Sequence, residues 1–270
     1  MPMIAFCSIS AMDRSLADAV ALAARCGADG IEVTARAPHL ETSADLPEVR
    51  AAGDRIRSSG LEVTAYGSYL SYGGDDFEAD VRREVARSEA LGTERLRVWA
   101  GHAGGTVREE NRDDVVRMLR LAGKLAADVG IDVVVERHRG TFADTADRTE
   151  ALLDAVGCDN VALNYQVLDG LPRGEAEQQP DDARRLIPRS RYFHVKNYRE
   201  NQPASGPLLL GGDLEHGVLD YRAILAAAVG AGYRGPYGIE FLAFDQRPLE
   251  GKLASGIAWL RGLLVEVGAP

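Results

Sequence analysis

Apolar and polar positions along the chain repeat one unit. A stretch with apolar residues at three- and four-residue spacing runs up to a glycine, and a short β-branched run follows at once. GADGIEVT begins at Gly27, GLEVTAY at Gly60, GTERLRVWA at Gly92 and GIDVVVE at Gly130. GCDNVALNYQ from Gly157, SRYFHVKN from Ser190 and GYRGPYGIEF from Gly232 continue the series, and MIAFCSI opens it, which predicts eight strands. The segments between them predict amphipathic helices, among them SLADAVALAARC from Ser15, DVRREVARSEAL from Asp80, DDVVRMLRLAGKLAADV from Asp113 and DYRAILAAAVGA from Asp220. Asp13, Asp75 and Asp113 stand where N-cap or first-turn acids belong. Glycine supplies the left-handed turn that ends a helix. The strand runs are continuously apolar, as in parallel strands buried on both faces.

Eight such units with no composition break and no linker predict an α/β protein, a (β/α)8 TIM barrel forming a single domain over residues 1–270. A doubly wound sheet fits less well, because no glycine-rich phosphate loop follows the first strand. One connection is long. Residues 198–219, YRENQPASGPLLLGGDLEHGVL, separate the seventh strand from the next helix. A loop of that length is expected to act as a lid, with a plain surface insertion as the alternative.

The composition narrows the partners. Across 270 residues, 46% are hydrophobic, enough for a substantial core. A net charge of -10 argues against a nucleic-acid partner, which needs a basic face. Cys7, Cys26 and Cys158 are odd in number and lack CxxC spacing, which argues for a reducing compartment and against a disulfide framework or zinc ribbon. MPMIAFCSIS lacks the pattern of a signal peptide, and no stretch has the length of a membrane span. A soluble cytoplasmic protein with no membrane partner is expected.

In such a barrel the site forms where strands end. Period-two alternation sends residues two apart to one face. Strand five then offers Glu136 and His138, strand six Asn164 and Gln166, strand seven His194 and Lys196, strand eight Glu240 and strand two Glu32. Two carboxylates, an imidazole and an amide oxygen suit one divalent metal ion, Mn²⁺ or Mg²⁺ first, with Zn²⁺, Co²⁺ or Fe²⁺ compatible. Carboxylates crowded at one point repel unless a cation or proton lies between them. Trp99, Tyr66 and Tyr69 are candidates for an apolar wall against a sugar, or for core packing. Lys196 and Arg199 could hold a substrate oxygen or phosphate, or form a solvated loop edge. His102 after RVWAG is a further candidate polar contact, while His39 and His216 receive no role.

From GADGIEV to GIEF the chain resembles the sugar phosphate isomerase/epimerase family, the xylose-isomerase-like TIM barrels that include apurinic endonucleases of the endonuclease IV type. The resemblance implies one divalent cation, with Glu136, His194 and Glu240 as ligands at the ends of strands five, seven and eight. At the end of strand six the family's usual aspartate is replaced by Gln166 in VALNYQ, with Asn164 the competing position. ERH on strand five, RVWAG at 97–101 and GTFADT at 140–145 are similar to a branch with that glutamine. ERHRGTF lacks the second glutamate that follows the strand-five ligand in many isomerases.

The leading functional expectation is a metal-dependent isomerase or epimerase of a sugar or sugar-like keto-polyol. It works through an enediolate, with Glu136, Glu240 or His138 moving the proton. Glu32, Trp99, His102, Asn164, Lys196 and Arg199 are the substrate-binding candidates. The alternative is a lyase or dehydratase on an oxidised sugar or inositol, inosose-dehydratase-like or C-glycoside-cleaving. A non-catalytic sugar-binding barrel ranks below both. The acidic balance and the scarcity of histidine, five in all, argue against cleavage of abasic DNA. Pairing of copies, common in the family, is left open.

Overall fold

The computed structural model describes residues 2–70, 76–101, 107–201 and 206–270. Eight parallel strands close into a barrel: β1 (Ile4–Cys7), β2 (Gly30–Thr34), β3 (Glu62–Gly67), β4 (Arg95–Trp99), β5 (Asp132–Glu136), β6 (Val161–Tyr165), β7 (Ser190–Val195) and β10 (Tyr237–Ile239). Each pairs with its sequence neighbour in the barrel, and β1 meets β10 to close the ring. The eight expected strands are all present. Helices α1 (Leu16–Arg25), α2 (Leu46–Ser58), α3 (Phe77–Leu91), α4 (Arg112–Ala127) and α5 (Ala146–Val156) cover the outside. They are joined there by α6 (Arg173–Ala176), α7 (Gln179–Leu186), α8 (Tyr221–Gly230) and α9 (Leu249–Glu266).

Local signals set the helix ends. Ser15, not Asp13, caps α1, because its hydroxyl lies close enough to accept from the Asp18 amide. Asp45 and Glu48 form a reciprocal capping box on α2. Asp76 caps α3, and Asp75 lies outside the described residues. Gly92 and Gly157 end α3 and α5 at φ 78° and 61°, the left-handed region a side chain disfavours.

Two apolar layers result. The larger lies between barrel and helices, where Tyr66, Leu96, Val133 and Val135 pack against residues such as Val85, Leu119 and Leu152. The smaller is Ala65, Val134 and Tyr192, from β3, β5 and β7, which are not neighbours and so meet across the barrel interior. Above this plug the inward positions turn polar.

Of the two readings offered for Tyr66, core packing is the one the structure shows, and the residue does not face the mouth. A bulge in β3 pairs Ile31 with Val63 but Glu32 with Ala65, leaving Thr64 as the extra residue and flipping the alternation after it. Tyr66 therefore points to α3, where its hydroxyl donates to Glu84 and accepts from Arg87. Residues 198–219 are also not one irregular loop. They contain most of an antiparallel hairpin, β8 (Asn197–Arg199) with β9 (Leu209–Gly212). Buried Asn197 anchors it: its amide donates to the Leu214 carbonyl, and its side-chain oxygen accepts from the Tyr198 and Leu219 amides.

Arg87, 2% exposed, ties the second βα loop to the barrel wall. It donates to the Tyr66 hydroxyl at 2.9 Å and to the carbonyls of Glu41, Thr42 and Ala44 at 2.6, 3.2 and 2.7 Å. Arg87→Met would leave the buried Tyr66 hydroxyl and the three part-buried carbonyls without this donor. Urea denaturation is expected to show a loss of about 2–4 kcal/mol, with the 41–44 loop becoming the first site of proteolysis. An unchanged midpoint would show that the loop holds without it.

Candidate metal centre

Period two now has physical content. Above Val134 stands Glu136, above Tyr192 stands His194, and above Gly238 stands Glu240. Glu32 and Arg97 fill the remaining space, and Gly67 makes room for both. A Cβ there would lie 2.8 Å from Glu32 Oε1 and 2.9 Å from an Arg97 nitrogen. Immediately after Glu240, Phe241 takes a left-handed φ of 53°, unusual for an aromatic residue, and its amide is held by the Ser10 hydroxyl at 2.9 Å.

His194 is fully buried and central. Its Nε2 lies 2.7 Å from Glu32 Oε2, so Nε2 carries the proton and donates it. Its Nδ1 faces Gln166 Oε1 at 3.3 Å and Glu240 Oε1 at 3.7 Å. Gln166 donates its amide N–H groups to Glu136 Oε1 at 2.9 Å and the Arg137 carbonyl at 2.7 Å. Both partners are acceptors, which fixes Gln166 Oε1 toward His194. Asn164 instead puts its amide nitrogen 3.2 and 3.3 Å from the two ring nitrogens, and its own oxygen has no partner among the described residues.

Glu136 is held on both oxygens. Oε1 accepts from Gln166, while Oε2 accepts from Trp99 Nε1 at 2.6 Å and lies 3.0 Å from Arg97. Burial raises its carboxyl pKa, but Arg97 and His194 outweigh burial and hold it at about 2. Burial likewise raises Glu32, and His194 and Arg97 bring it below its usual value. For His194 burial lowers the pKa, and the Glu32 and Glu240 carboxylates more than reverse that. Lys196, also buried, donates to Glu240 Oε2 at 2.9 Å and pairs with Asp169 at 3.2 Å. Burial lowers its pKa, yet Glu240 carries it well above the ordinary lysine value.

One donor atom each from Glu136, His194 and Glu240 lies within 4.8 Å of the others, all three buried. The set fits a divalent cation: two carboxylates, a ring nitrogen whose partner nitrogen is already committed to a carboxylate, and an amide oxygen aimed at the same space. A cation held there would meet the Nδ1 lone pair that a proton otherwise takes.

The remaining candidates distribute around this core. Trp99 stacks on His138, with ring centroids 5.0 Å apart, and meets Tyr69 edge-on at 5.7 Å. Glu32, a substrate-binding candidate, is buried against His194. Arg199 is exposed on the hairpin and is not brought into the cluster. His102 lies outside the described residues. His39 is buried away from the cluster, bonded to the Ala11 carbonyl. Sequence reasoning missed Arg97 as a site residue, though it stands two residues before Trp99 on the same face. It also missed Asp169, which had no strand pattern to reveal it.

Fold and cluster together define a (β/α)8 barrel with a buried Glu136–His194–Glu240 cluster at its mouth whose donor atoms could hold a metal ion. The chain belongs to the xylose isomerase-like TIM barrel family, whose model it matches over residues 20–263. A 3-dehydroshikimate dehydratase of Bacillus anthracis is 29% identical over 128 residues, 44% of this chain and 45% of the relative. An inosose dehydratase of Geobacillus thermodenitrificans is 27% identical over 146 residues, 49% of this chain and 47% of the relative. The chain thus spans about half the length of the curated relatives it matches. Among solved structures, a xylose isomerase-like TIM barrel protein from Mycobacterium smegmatis in complex with magnesium has a TM-score of 0.79 at 19% identity, over 99% of this chain and 98% of that one. An L-ribulose 3-epimerase has a TM-score of 0.76 at 18% identity, over 99% and 96% of the two chains. No helix among the described residues is long and apolar enough to cross a membrane.

The Trp99 hydrogen bond supplies a reporter. The chain has two tryptophans, so Trp259→Phe leaves Trp99 alone. Saturable quenching of its fluorescence by Mn²⁺ is expected in that background and is expected to vanish on adding Glu240→Gln. Quenching that is identical with and without Glu240 would place the cation elsewhere.

Proposed function

We propose that the protein is a divalent-metal-dependent dehydratase that removes water from a polyhydroxylated ketone. The observation that carries this reading is the saturation of Glu136. With both oxygens accepting hydrogen bonds and its pKa held at about 2, this carboxylate is a poor proton acceptor. An epimerase that works through two carboxylates needs a base on each face of the carbon; here one of the pair is disabled. The two curated dehydratases support the same choice.

The assigned ligands are Glu136, Gln166, His194 through Nδ1, and Glu240. Three oxygens and one nitrogen suit Mn²⁺ first and Mg²⁺ next, with Co²⁺ or Zn²⁺ as substitutes. When bound, the cation supplies Lewis-acid stabilisation of the negative charge that grows on a ketone oxygen as a neighbouring C–H bond ionises.

His138 is the assigned base. Its Nδ1 lies 3.0 Å from the Arg139 carbonyl, an acceptor, so Nδ1 carries the hydrogen and Nε2 keeps a lone pair. Stacking on Trp99 fixes the ring at the mouth. Nε2 takes the proton from the carbon beside the ketone. The C–H electron pair forms the carbon–carbon double bond, and the β carbon–oxygen bond breaks. The oxygen leaves as water, with the proton returned from the imidazolium. Lys196 has three N–H donors, two already used by Glu240 and Asp169, and the third is assigned to a substrate oxygen. Arg97 holds two N–H groups without an aligned acceptor among the described residues and is assigned a second substrate oxygen. The hairpin flanking the mouth is assigned the role of a lid. Tyr198 binds it to Asp169 at 2.9 Å, and the Phe244 amide bonds Gly211 at 3.0 Å.

Isomerisation or epimerisation of a keto-polyol is the second reading. It shares the first proton transfer and differs in returning the proton to carbon. Its support is that Glu136 and Glu240 flank one cation position, on a fold shared with an L-ribulose 3-epimerase.

Protein purified without chelator is expected to retain near-stoichiometric divalent metal by elemental analysis, and His194→Ala and Glu240→Gln are expected to lose it. A wild type that stays empty after incubation with Mn²⁺, Co²⁺ and Zn²⁺ would instead favour a non-catalytic barrel. Loaded protein should then be given 3-dehydroshikimate, an inosose and a ketohexose in deuterated water. A product lighter than its substrate by one water means dehydration; deuterium at carbon with the mass otherwise conserved means isomerisation. His138→Gln is expected to lower kcat by about 10²–10⁴-fold with metal content unchanged. Full activity in that variant would assign the proton to another group.

A further inference from the structure

His194 presents different chemistry on its two nitrogens. Nδ1 faces the oxygen-rich set described above. Nε2 faces Glu32 Oε2 at 2.7 Å, and the same oxygen accepts the Cys7 thiol at 3.5 Å. Cys7, Glu32 and His194 each offer one ligand atom within 4.8 Å of the others, and all are buried. Barrel closure assembles this triad. Cys7 and Glu32 are register partners on adjacent β1 and β2, and His194 reaches them from β7.

The donor set is sulfur, oxygen and nitrogen. A thiolate moves metal preference away from Mg²⁺ and Mn²⁺ and toward Zn²⁺, Co²⁺ and Cd²⁺. Metal–sulfur bonds of about 2.3 Å and metal–nitrogen or –oxygen bonds of about 2.0 Å set tetrahedral ligand atoms roughly 3–4 Å apart. The 3.5 Å between Cys7 Sγ and Glu32 Oε2 is already in that range, and the 2.7 Å contact must open slightly. Arg97 approaches Glu32 through Oε1, at 3.7 Å, which leaves Oε2 to the triad.

We propose that Cys7, Glu32 and Nε2 of His194 form a second cation site, thiolate-containing and selective for Zn²⁺, Co²⁺ or Cd²⁺. Filling it releases the Cys7 thiol proton to solvent and moves the imidazole proton from Nε2 to Nδ1. It also breaks the His194–Glu32 hydrogen bond that orients the ring for the oxygen-rich site. The two sites therefore compete for one imidazole, and an excess of a thiophilic cation displaces Mn²⁺. This site stands independently of which reaction the barrel catalyses.

The test uses the full chain with Cys26 and Cys158, the partly exposed thiols, both changed to Ser. Titration with Co²⁺ is expected to produce a thiolate-to-cobalt charge-transfer band in the near ultraviolet that saturates at a single equivalent. Adding Cys7→Ser is expected to abolish the band while Mn²⁺ is still bound at the original stoichiometry. X-ray absorption of the zinc-loaded protein with Cys7 intact is expected to show one sulfur among nitrogen and oxygen neighbours, a readout that needs no variant at Cys7. An all-nitrogen-and-oxygen shell, or a cobalt band that persists without Cys7, would overturn the proposal. So would loss of Mn²⁺ together with the band, because Cys7 would then be supporting a single site.

Discussion

The hydrogen bond from His194 Nε2 to Glu32 crosses the interior of the barrel, from β7 to β2, between two side chains with almost no solvent exposure. Much of the site follows from it. It fixes the imidazole tautomer, so that Nδ1 and not Nε2 faces the space bounded by Gln166 and Glu240. It gives the buried Glu32 carboxylate a partner that, with Arg97, offsets the cost of desolvation. It also makes Glu32 the group that orients His194, as outer carboxylates do for histidines in metal sites generally.

Charge around that bond is arranged unevenly. Glu136 is clamped by Arg97, Trp99 and Gln166, whereas Glu240 keeps one oxygen toward Lys196 and the other toward His194. Two carboxylates of the same type thus stand in different environments, and different environments define different tasks. Glu136 suits a fixed anionic ligand. The proposed mechanism leaves the movable proton to a group outside the clamp and assigns it to His138, whose ring stacks on Trp99 and whose Nδ1 is turned to the Arg139 carbonyl. The same Trp99 contacts both residues, so the ligand and the assigned base share one wall.

The barrel was legible because its parallel strands are continuously apolar and six of the eight follow a glycine that closes the preceding helical stretch. The polar cluster was legible because inward positions recur every second residue, which placed Glu136, Asn164, His194 and Glu240 on one side. Failures mark where that arithmetic stops. A one-residue bulge at Thr64 turned Tyr66 outward to Arg87. The β8–β9 hairpin was hidden because its strands are three and four residues long and its anchor, Asn197, acts through contacts with Leu214 and Leu219. The partner of Glu32 could not be read either, since a bond between residues 162 positions apart exists only once the barrel closes.

The central claim is that the mouth of this barrel holds a divalent cation on Nδ1 of His194. Anomalous diffraction at the manganese edge from crystals soaked in Mn²⁺ tests it most directly. The account expects one strong peak bounded by Glu136, Gln166, His194 Nδ1 and Glu240, with the Nε2–Glu32 hydrogen bond intact. A map without a peak there, or with manganese bound to Nε2 in place of that hydrogen bond, would contradict it.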